Sequence, residues 1–195
     1  MQPAQQSKIA TNRIYTIIAS AISPFDALEK QHIDESLAWI ESGALIFRIN
    51  KPDVPLKHLV SYFVLVDEET SKILLVDHKK AKLWLPAGGH VEINEDPKTT
   101  VERECLEELG VKADFLYEDP VFITSTTTVG LTAGHIDVSL WYVLKGSHQQ
   151  KYTFEEREFN AIQWFSFDDI PYQNSDPHMK RFIKKLKLLL RRASI

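Results

Sequence analysis

The chain has 195 residues, of which 44% are hydrophobic and 26% are charged. This usage is ordinary for a globular protein, and it excludes collagen-like, disordered and disulfide-scaffold classes. The formal net charge is −4, but residues 178–195 hold seven of the 23 Lys and Arg residues and none of the 27 Asp and Glu residues. The rest of the chain is therefore acidic, so an anionic substrate would need cations in between.

The cysteine content and the apolar runs indicate the compartment. Cys105 is the single cysteine, which excludes an intrachain disulfide and fits a reducing compartment, so we expect a cytoplasmic protein. No apolar run approaches the roughly 20 residues of a membrane helix, and we expect no membrane partner. Residues 8–22 imitate a secretory signal, but their apolar stretch is short and interrupted, which favours an ordinary amphipathic helix.

The first third of the chain reads as helical and the remainder as a mixture of strands and helices. Two helices are expected first, the second beginning at an N-cap on Ser23 with Pro24 in its first turn. Further strands are predicted at 58–66, 73–76, 121–128, 136–144 and 162–167, and further helices at 97–109 and 179–190. This order predicts an α/β fold with a mixed sheet packed between helices, and a division into an extension, 1–55, and a main domain, 56–195.

The helix predicted at 97–109 has well-marked ends and two different sides. Asp96 and Pro97 form a typical helix start, and Gly110 is a natural stop. At about 100° per residue, the apolar side is expected to consist of Val101, Cys105, Leu106 and Leu109. The helix is therefore expected to pack one side on the sheet.

Three glutamates, Glu104, Glu107 and Glu108, are expected on another side of this helix. Like charges at i,i+3 and i,i+4 destabilise a helix by about 0.2–0.5 kcal/mol per pair, and the helix dipole disfavours anions near its C-terminus. A bound divalent cation would reverse the effect, and carboxylate oxygens suit Mg²⁺ or Mn²⁺. Taken alone, however, three glutamates are also typical of a solvated helix face.

The segment before this helix adds groups that suit phosphate chemistry. Gly88 and Gly89 could present a carbonyl to a metal ion or an N–H group to a phosphate. Lys79, Lys80 and Lys82 lie just upstream and could meet phosphate charge. Each feature has a simpler interpretation, as a turn or as surface lysines, but together they indicate metal-assisted phosphoryl chemistry.

The segment from Gly89 to Val111 resembles the Nudix box, G-x5-E-x7-R-E-U-x-E-E-x-G-U, where U is a bulky aliphatic residue. All seven fixed positions match, and Cys105 stands at one of the aliphatic positions. Residues 59–190 follow the family's order of strands and helices. The helical extension, the Gly-Gly-His at the start of the box and the Gly-His-Ile-Asp at 134–137 resemble an uncharacterised bacterial subgroup.

The resemblance implies the Nudix fold and the hydrolysis, with Mg²⁺ or Mn²⁺, of a nucleoside diphosphate linked to another moiety. Nucleoside triphosphates, nucleotide sugars and dinucleotides are substrates of this kind. It implies that Glu104, Glu107 and Glu108 are metal ligands, assisted by a backbone carbonyl of Gly88 or Gly89. It also implies a structural ion pair that shapes the box, formed by Glu95 and Arg103.

The resemblance leaves more than one candidate for the general base, because family members differ in the residue that serves. Glu107 and Glu108 are candidates, as is a glutamate of the 155–158 loop, where we favour Glu158 for its distance from Trp164. His135 and Asp137 alternate on one face of a predicted strand, so they line the pocket or face solvent. The residues expected to contact substrate are Lys79, Lys82, Glu92, His135 and Asp137.

The expected partner is a small-molecule nucleotide diphosphate, and neither nucleic acid nor a membrane is expected. The extension could cover the sheet, shape the pocket or form a homodimer contact, and the sequence leaves all three open. The alternative function is a catalytically silent Nudix-fold module that binds a nucleotide or RNA. The intact set of glutamates favours the enzyme.

Overall fold

A computed structural model of the chain describes residues 5–50, 54–129, 131 and 133–193. The helices are α1 (Lys8–Ala19), α2 (Ala27–Glu41), α3 (Pro97–Leu109) and α4 (Met179–Ala193). The strands are β1 (Lys57–Asp67), β2 (Lys72–His78), β3 (Leu83–Leu85), β4 (Ala87–His90), β5 (Phe122–Thr127), β6 (Ile136–Lys145) and β7 (Phe159–Ser166). None of the helices in the described ranges combines the length and apolar character needed to cross a membrane.

The strands form one mixed sheet with the order β3-β2-β1-β6-β5, in which β1 and β6 are parallel. The other pairings are antiparallel, and β7 adds to β2. Two strands pair with different parts of the long strand β1. Val60 pairs with His90 of β4, and Val66 pairs with Ile73 of β2. This arrangement brings β4, β1 and β6 side by side, and it positions the site described below.

Helices cover both faces of the sheet, which confirms the predicted mixed sheet between helices. On one face, Ile14 and Ile18 of α1 share a buried core with Val101 and Cys105 of α3. On the other face, Phe182 and its neighbours in α4 pack against buried residues of β1, β2, β5 and β6. The α2 helix lies against β5. The extension therefore covers part of the sheet, and the division at residue 56 stays a prediction.

Two predictions about helices are wrong. The second helix begins at Ala27, not at Ser23-Pro24. The Asp26 side chain forms the N-cap, because it accepts a hydrogen bond from the Glu29 N–H group at 2.9 Å. In α3, Leu106 is 58% exposed and does not share the apolar side. The buried arc of α3 is instead centred on Val101, and it includes Glu108. The ends of α3 are as predicted, with Asp96 as the N-cap and Gly110 in the left-handed conformation.

Candidate active site

A cavity of about 1090 Å³ opens beside α3 and β4. Gly88 and Gly89 contribute its β4 wall, and Glu104 and Glu108 face it from α3. Glu158, from the loop before β7, also lines it. The cavity thus brings together residues that are far apart in the sequence, and the Asp and Glu residues in its wall outnumber the Lys and Arg residues.

Glu108 is held at the base of this wall. Its Oε2 atom accepts a hydrogen bond from the Gly88 N–H group at 2.8 Å, and the residue is only 5% exposed. Burial raises the pKa of Glu108 well above its ordinary value, and the Glu104 carboxylate raises it further. Burial also raises the pKa of Glu104, against the opposing effect of Arg103. Two carboxylates that face the same cavity are a favourable set of oxygen ligands for a hard divalent cation.

The two glycines allow the close approach of β4 to α3 and to β1. Gly88 has a φ of 139°, and a Cβ atom there would lie 2.1 Å from the carbonyl oxygen of Ser61. A Cβ atom on Gly89 would lie 2.0 Å from Oε1 of Glu104. Any side chain at either position would therefore displace the backbone or the carboxylate.

Arg103 joins the loop before α3 to the acidic side of the helix. Its Nε atom donates to Oε1 of Glu95 at 3.2 Å, and its Nη1 atom donates to Oε1 of Glu104 at 2.6 Å. Glu95 also accepts from Thr100 Oγ1 at 2.7 Å and from the Glu92 N–H group at 3.0 Å. Burial raises the pKa of Glu95, but these hydrogen bonds outweigh burial and lower it. The hydrogen bond to Glu95 raises the pKa of Arg103, so the cation stays charged.

Glu107 and Glu158 occupy different positions from the two buried carboxylates. The Glu107 side chain is 62% exposed, and its Oε2 atom lies 3.5 Å from Nη1 of Arg103. Glu158 is exposed at the cavity rim, where its charge raises the pKa values of Glu104 and Glu108. The Glu155 N–H group donates to the backbone oxygen of Glu108 at 3.1 Å, so the loop that carries Glu158 is attached to α3.

The structure brings some of the predicted substrate contacts together. Glu92, His135 and Asp137 line the cavity. Lys79 and Lys82 are not among its lining residues in the described ranges, and Nζ of Lys79 instead donates to the backbone oxygen of Glu156. The cations that the structure does place in the wall are Lys80, Arg48 and Arg103.

Arg48 was not singled out by the sequence, because no motif marks it. It belongs to the segment that follows α2, and this segment also contributes Ile49 and Asn50 to the cavity wall. The extension therefore shapes the pocket as well as covering the sheet.

Two histidines were also missed, and they extend the predicted pair of His135 and Asp137. His58 at the start of β1 and His90 at the end of β4 lie beside that pair, and one ligand atom from each of the four side chains lies within 4.8 Å of the others. His58 Nε2 and His135 Nε2 are each 3.2 Å from Asp137 Oδ1. Burial raises the pKa of Asp137, but the adjacent histidines outweigh burial and lower it to about 2. The strand order could have found them, since it places β4 and β6 on either side of β1.

Comparison with known proteins places this arrangement in a family. The family model of the NUDIX domain matches residues 57–186. A "MutT-like protein" of Streptomyces ambofaciens is 26% identical over 132 residues, which cover 68% of this chain and 79% of that protein.

Solved structures show the same likeness. A NUDIX-family hydrolase from Clostridium perfringens is 26% identical, with a TM-score of 0.53, and the match covers 68% of this chain and 97% of that one. The NUDIX domain of Shewanella oneidensis NrtR, solved with ADP ribose, is 19% identical, with a TM-score of 0.54. That match covers 68% of this chain and 87% of the other, and it supports the fold alone.

Proposed function

The chain belongs to the Nudix family and is a pyrophosphohydrolase of the Nudix type, and we propose that Glu104 and Glu108 hold its divalent cation, Mg²⁺ or Mn²⁺. The observation that carries the proposal is the pair of carboxylates that line the cavity from α3, where burial raises the pKa of both and Glu104 raises that of Glu108 further. Mutual repulsion in a partly dry site is relieved by a cation with a preference for oxygen ligands. Glu107 lies next to Glu108 in the sequence, and Gly88 and Gly89 line the same cavity. Glu107 and a backbone carbonyl of one of these glycines complete the proposed ligand set.

When bound, the cation would neutralise phosphate charge and polarise a water molecule. We assign Glu158 as the general base, because it lines the same cavity as Glu104 and Glu108 and is exposed there. In the proposed reaction the water oxygen attacks one phosphorus atom, and its proton passes to the Glu158 carboxylate. The bond from that phosphorus to the bridging oxygen breaks, and the second phosphate leaves with the bridging oxygen. Arg103 keeps Glu104 in place through its contact with Glu95.

The proposed substrate is a nucleoside diphosphate linked to another moiety. The cavity volume is of the size that holds such a molecule. Arg48 and Lys80 line the cavity as cations, and they are the proposed contacts for phosphate oxygens beyond the metal. The apolar side chains of Val60, Leu83 and Leu85 also line it, and they offer a surface for a base or a sugar.

The test is product release from a panel of such compounds, including nucleoside triphosphates, ADP-ribose, nucleotide sugars and dinucleoside polyphosphates, each with Mg²⁺ and with Mn²⁺. Wild type, Glu108→Gln and the matched control Glu102→Gln would be assayed together, since Glu102 is an exposed glutamate of the same helix. We expect turnover of one substrate class, lost in Glu108→Gln and kept in Glu102→Gln. Binding without turnover in the wild type would favour the silent nucleotide-binding module instead.

A further inference from the structure

A cluster of three histidines and one aspartate lies in the same cavity, on β1, β4 and β6. It consists of His58, His90, His135 and Asp137, and it shares none of these residues with the carboxylates of α3. His58 is completely buried, His135 is 5% exposed and Asp137 is 8% exposed. His90, His135 and Asp137 line the cavity, so an ion could reach the cluster from solvent.

The contacts of His58 determine which of its ring nitrogens carries the proton and which one directs a lone pair towards the cluster. Nδ1 lies 2.7 Å from the carbonyl oxygen of Pro55, and because a carbonyl only accepts, Nδ1 carries the proton. In the neutral ring, Nε2 then presents a lone pair to Oδ1 of Asp137, which is also an acceptor. Within the described part of the chain, neither of these two buried atoms completes a hydrogen bond of favourable geometry. Two facing acceptors at 3.2 Å are unfavourable unless a cation, either a proton or a metal ion, lies between them.

The contacts of His135 are compatible with the same orientation of its lone pair. Its Nδ1 atom lies 3.2 Å from Oγ1 of Thr128, and that hydroxyl lies 3.2 Å from the His135 carbonyl oxygen. A hydroxyl that donates to the carbonyl can accept from Nδ1–H, which directs the Nε2 lone pair towards Asp137. Backbone or hydroxyl partners on Nδ1 are typical of histidines that bind a metal through Nε2.

The spacing and the donor types favour a particular class of ion. Three imidazoles and one carboxylate form a common donor set for Zn²⁺, whereas Mg²⁺ prefers oxygen ligands alone. Metal–ligand bonds of roughly 2.0–2.1 Å in a tetrahedron place neighbouring ligand atoms about 3.3 Å apart. The two Nε2–Oδ1 distances are 3.2 Å, and the most distant pair in the cluster is within 4.8 Å. His90 is half-buried at the end of β4 and completes the proposed set.

We propose that His58, His90, His135 and Asp137 form a second metal site, for Zn²⁺ or a similar imidazole-binding transition-metal ion, beside the carboxylate site of α3. The two sites would take different ions into one cavity, because one offers oxygen ligands and the other mainly nitrogen. The β4 strand links them, since Gly88 and Gly89 precede His90 directly. The proposal concerns metal binding, and it does not depend on the substrate or on turnover.

The test measures binding of two probes, Zn²⁺ and Co²⁺, to the full-length protein after chelation and dialysis, with Mg²⁺ present in excess. We expect one tightly held Zn²⁺ per chain, and with Co²⁺ the intense visible absorption bands of a tetrahedral nitrogen-rich site. His135→Gln and Asp137→Asn should each weaken Zn²⁺ binding by more than the 10–100-fold that loss of an outer partner costs.

Two matched controls separate this site from others. Glu108→Gln, in the carboxylate site, and His148→Gln, which breaks a histidine–aspartate pair with Asp67, should both keep the Zn²⁺ and the Co²⁺ spectrum. If His135→Gln or Asp137→Asn does not fold, the test uses His90→Gln and the Co²⁺ spectrum of the wild type. Weaker Zn²⁺ binding in His90→Gln, together with a tetrahedral wild-type spectrum, would support the site. Absence of tight Zn²⁺ in the wild type would overturn the proposal and leave a shared proton between the histidines and Asp137. Loss in Glu108→Gln with retention in His135→Gln would assign the ion to α3 and overturn it as well.

Discussion

Nζ of Lys185 in α4 lies 2.7 Å from Oε1 of Glu29 in α2, and both residues are almost completely buried. The second carboxylate oxygen of Glu29 accepts from the Phe25 N–H group at 2.6 Å. The ion pair therefore joins the extension to the last helix of the chain. The pair also shows that not all basic side chains of α4 face solvent, because Lys185 is directed into the protein.

Breaking this pair on one side should destabilise the protein strongly. We expect Lys185→Met to lower the free energy of unfolding by about 3–5 kcal/mol, since it leaves the Glu29 carboxylate buried without its cation. The double variant Lys185→Met with Glu29→Gln should recover most of that loss. Urea unfolding of both variants checks this, and Lys187→Met, at a more exposed position of the same helix, is the control. A Lys185→Met variant as stable as wild type would contradict the structural role of the pair.

Asp26 should make stability depend on pH in the acidic range. Its hydrogen bond with Arg181, 2.8 Å from Nε to Oδ2, lowers the pKa of Asp26 to about 2 from an ordinary value of 3.8. Because the folded state favours the ionised carboxylate, this contribution is complete above the ordinary value and disappears as the pH falls through about 2. Asp26→Asn keeps the helix cap but removes the charge.

The measurement is the thermal midpoint of wild type and Asp26→Asn between pH 7 and pH 2. We expect the difference between the two proteins to be largest near neutral pH and to shrink as the pH falls. A difference that stays constant over this range would mean that the Arg181 contact contributes nothing through charge.

Glu158 should affect turnover and not metal binding. A positioned general base contributes roughly 10²–10⁴-fold to the rate, so we expect Glu158→Gln to reduce kcat at least about 100-fold. Glu156→Gln, in the same loop, should retain the wild-type rate. A Glu156→Gln variant that loses as much activity as Glu158→Gln would point to loop geometry as the cause.

Arg48 should act on substrate binding. Its removal takes a cation from the cavity wall, and a hydrogen bond to a charged group is worth about 1.5–3 kcal/mol. We therefore expect Arg48→Ala to lower kcat/KM roughly tenfold or more, mainly through KM, with little change in the thermal midpoint. Arg191→Ala removes an exposed arginine of α4 and serves as the control. Equal KM values for wild type and Arg48→Ala would exclude Arg48 from the substrate site.

The features predicted correctly from the sequence are those that depend on neighbouring residues. The ends of α3 follow from Asp96, Pro97 and Gly110, and the place of the three glutamates on that helix follows from their spacing, whereas their role as metal ligands stays a prediction. The first turn of α2 was misplaced because Asp26 is also held by Arg181 of α4, a contact that local sequence does not reveal.

The cavity wall depends on contacts between distant segments. His58 and His90 meet through the register of β1 with β4, and Arg48 arrives from the segment after α2. Lys79 was expected at the substrate, but its side chain is engaged by the 155–158 loop. The charged residues can be read from the sequence, but the pairing of distant strands determines which of them line the same cavity.

Cys105, which belongs to the buried side of α3, can report the opening of this helix. The thiol is completely buried on the helix that carries the box glutamates, and burial raises its pKa to about 12. A thiol reagent can therefore react only when α3 separates from the sheet. The rate of labelling by an aromatic disulfide measures how often α3 opens, without any engineered probe. Ligands that bind across α3 and β4 should slow this rate.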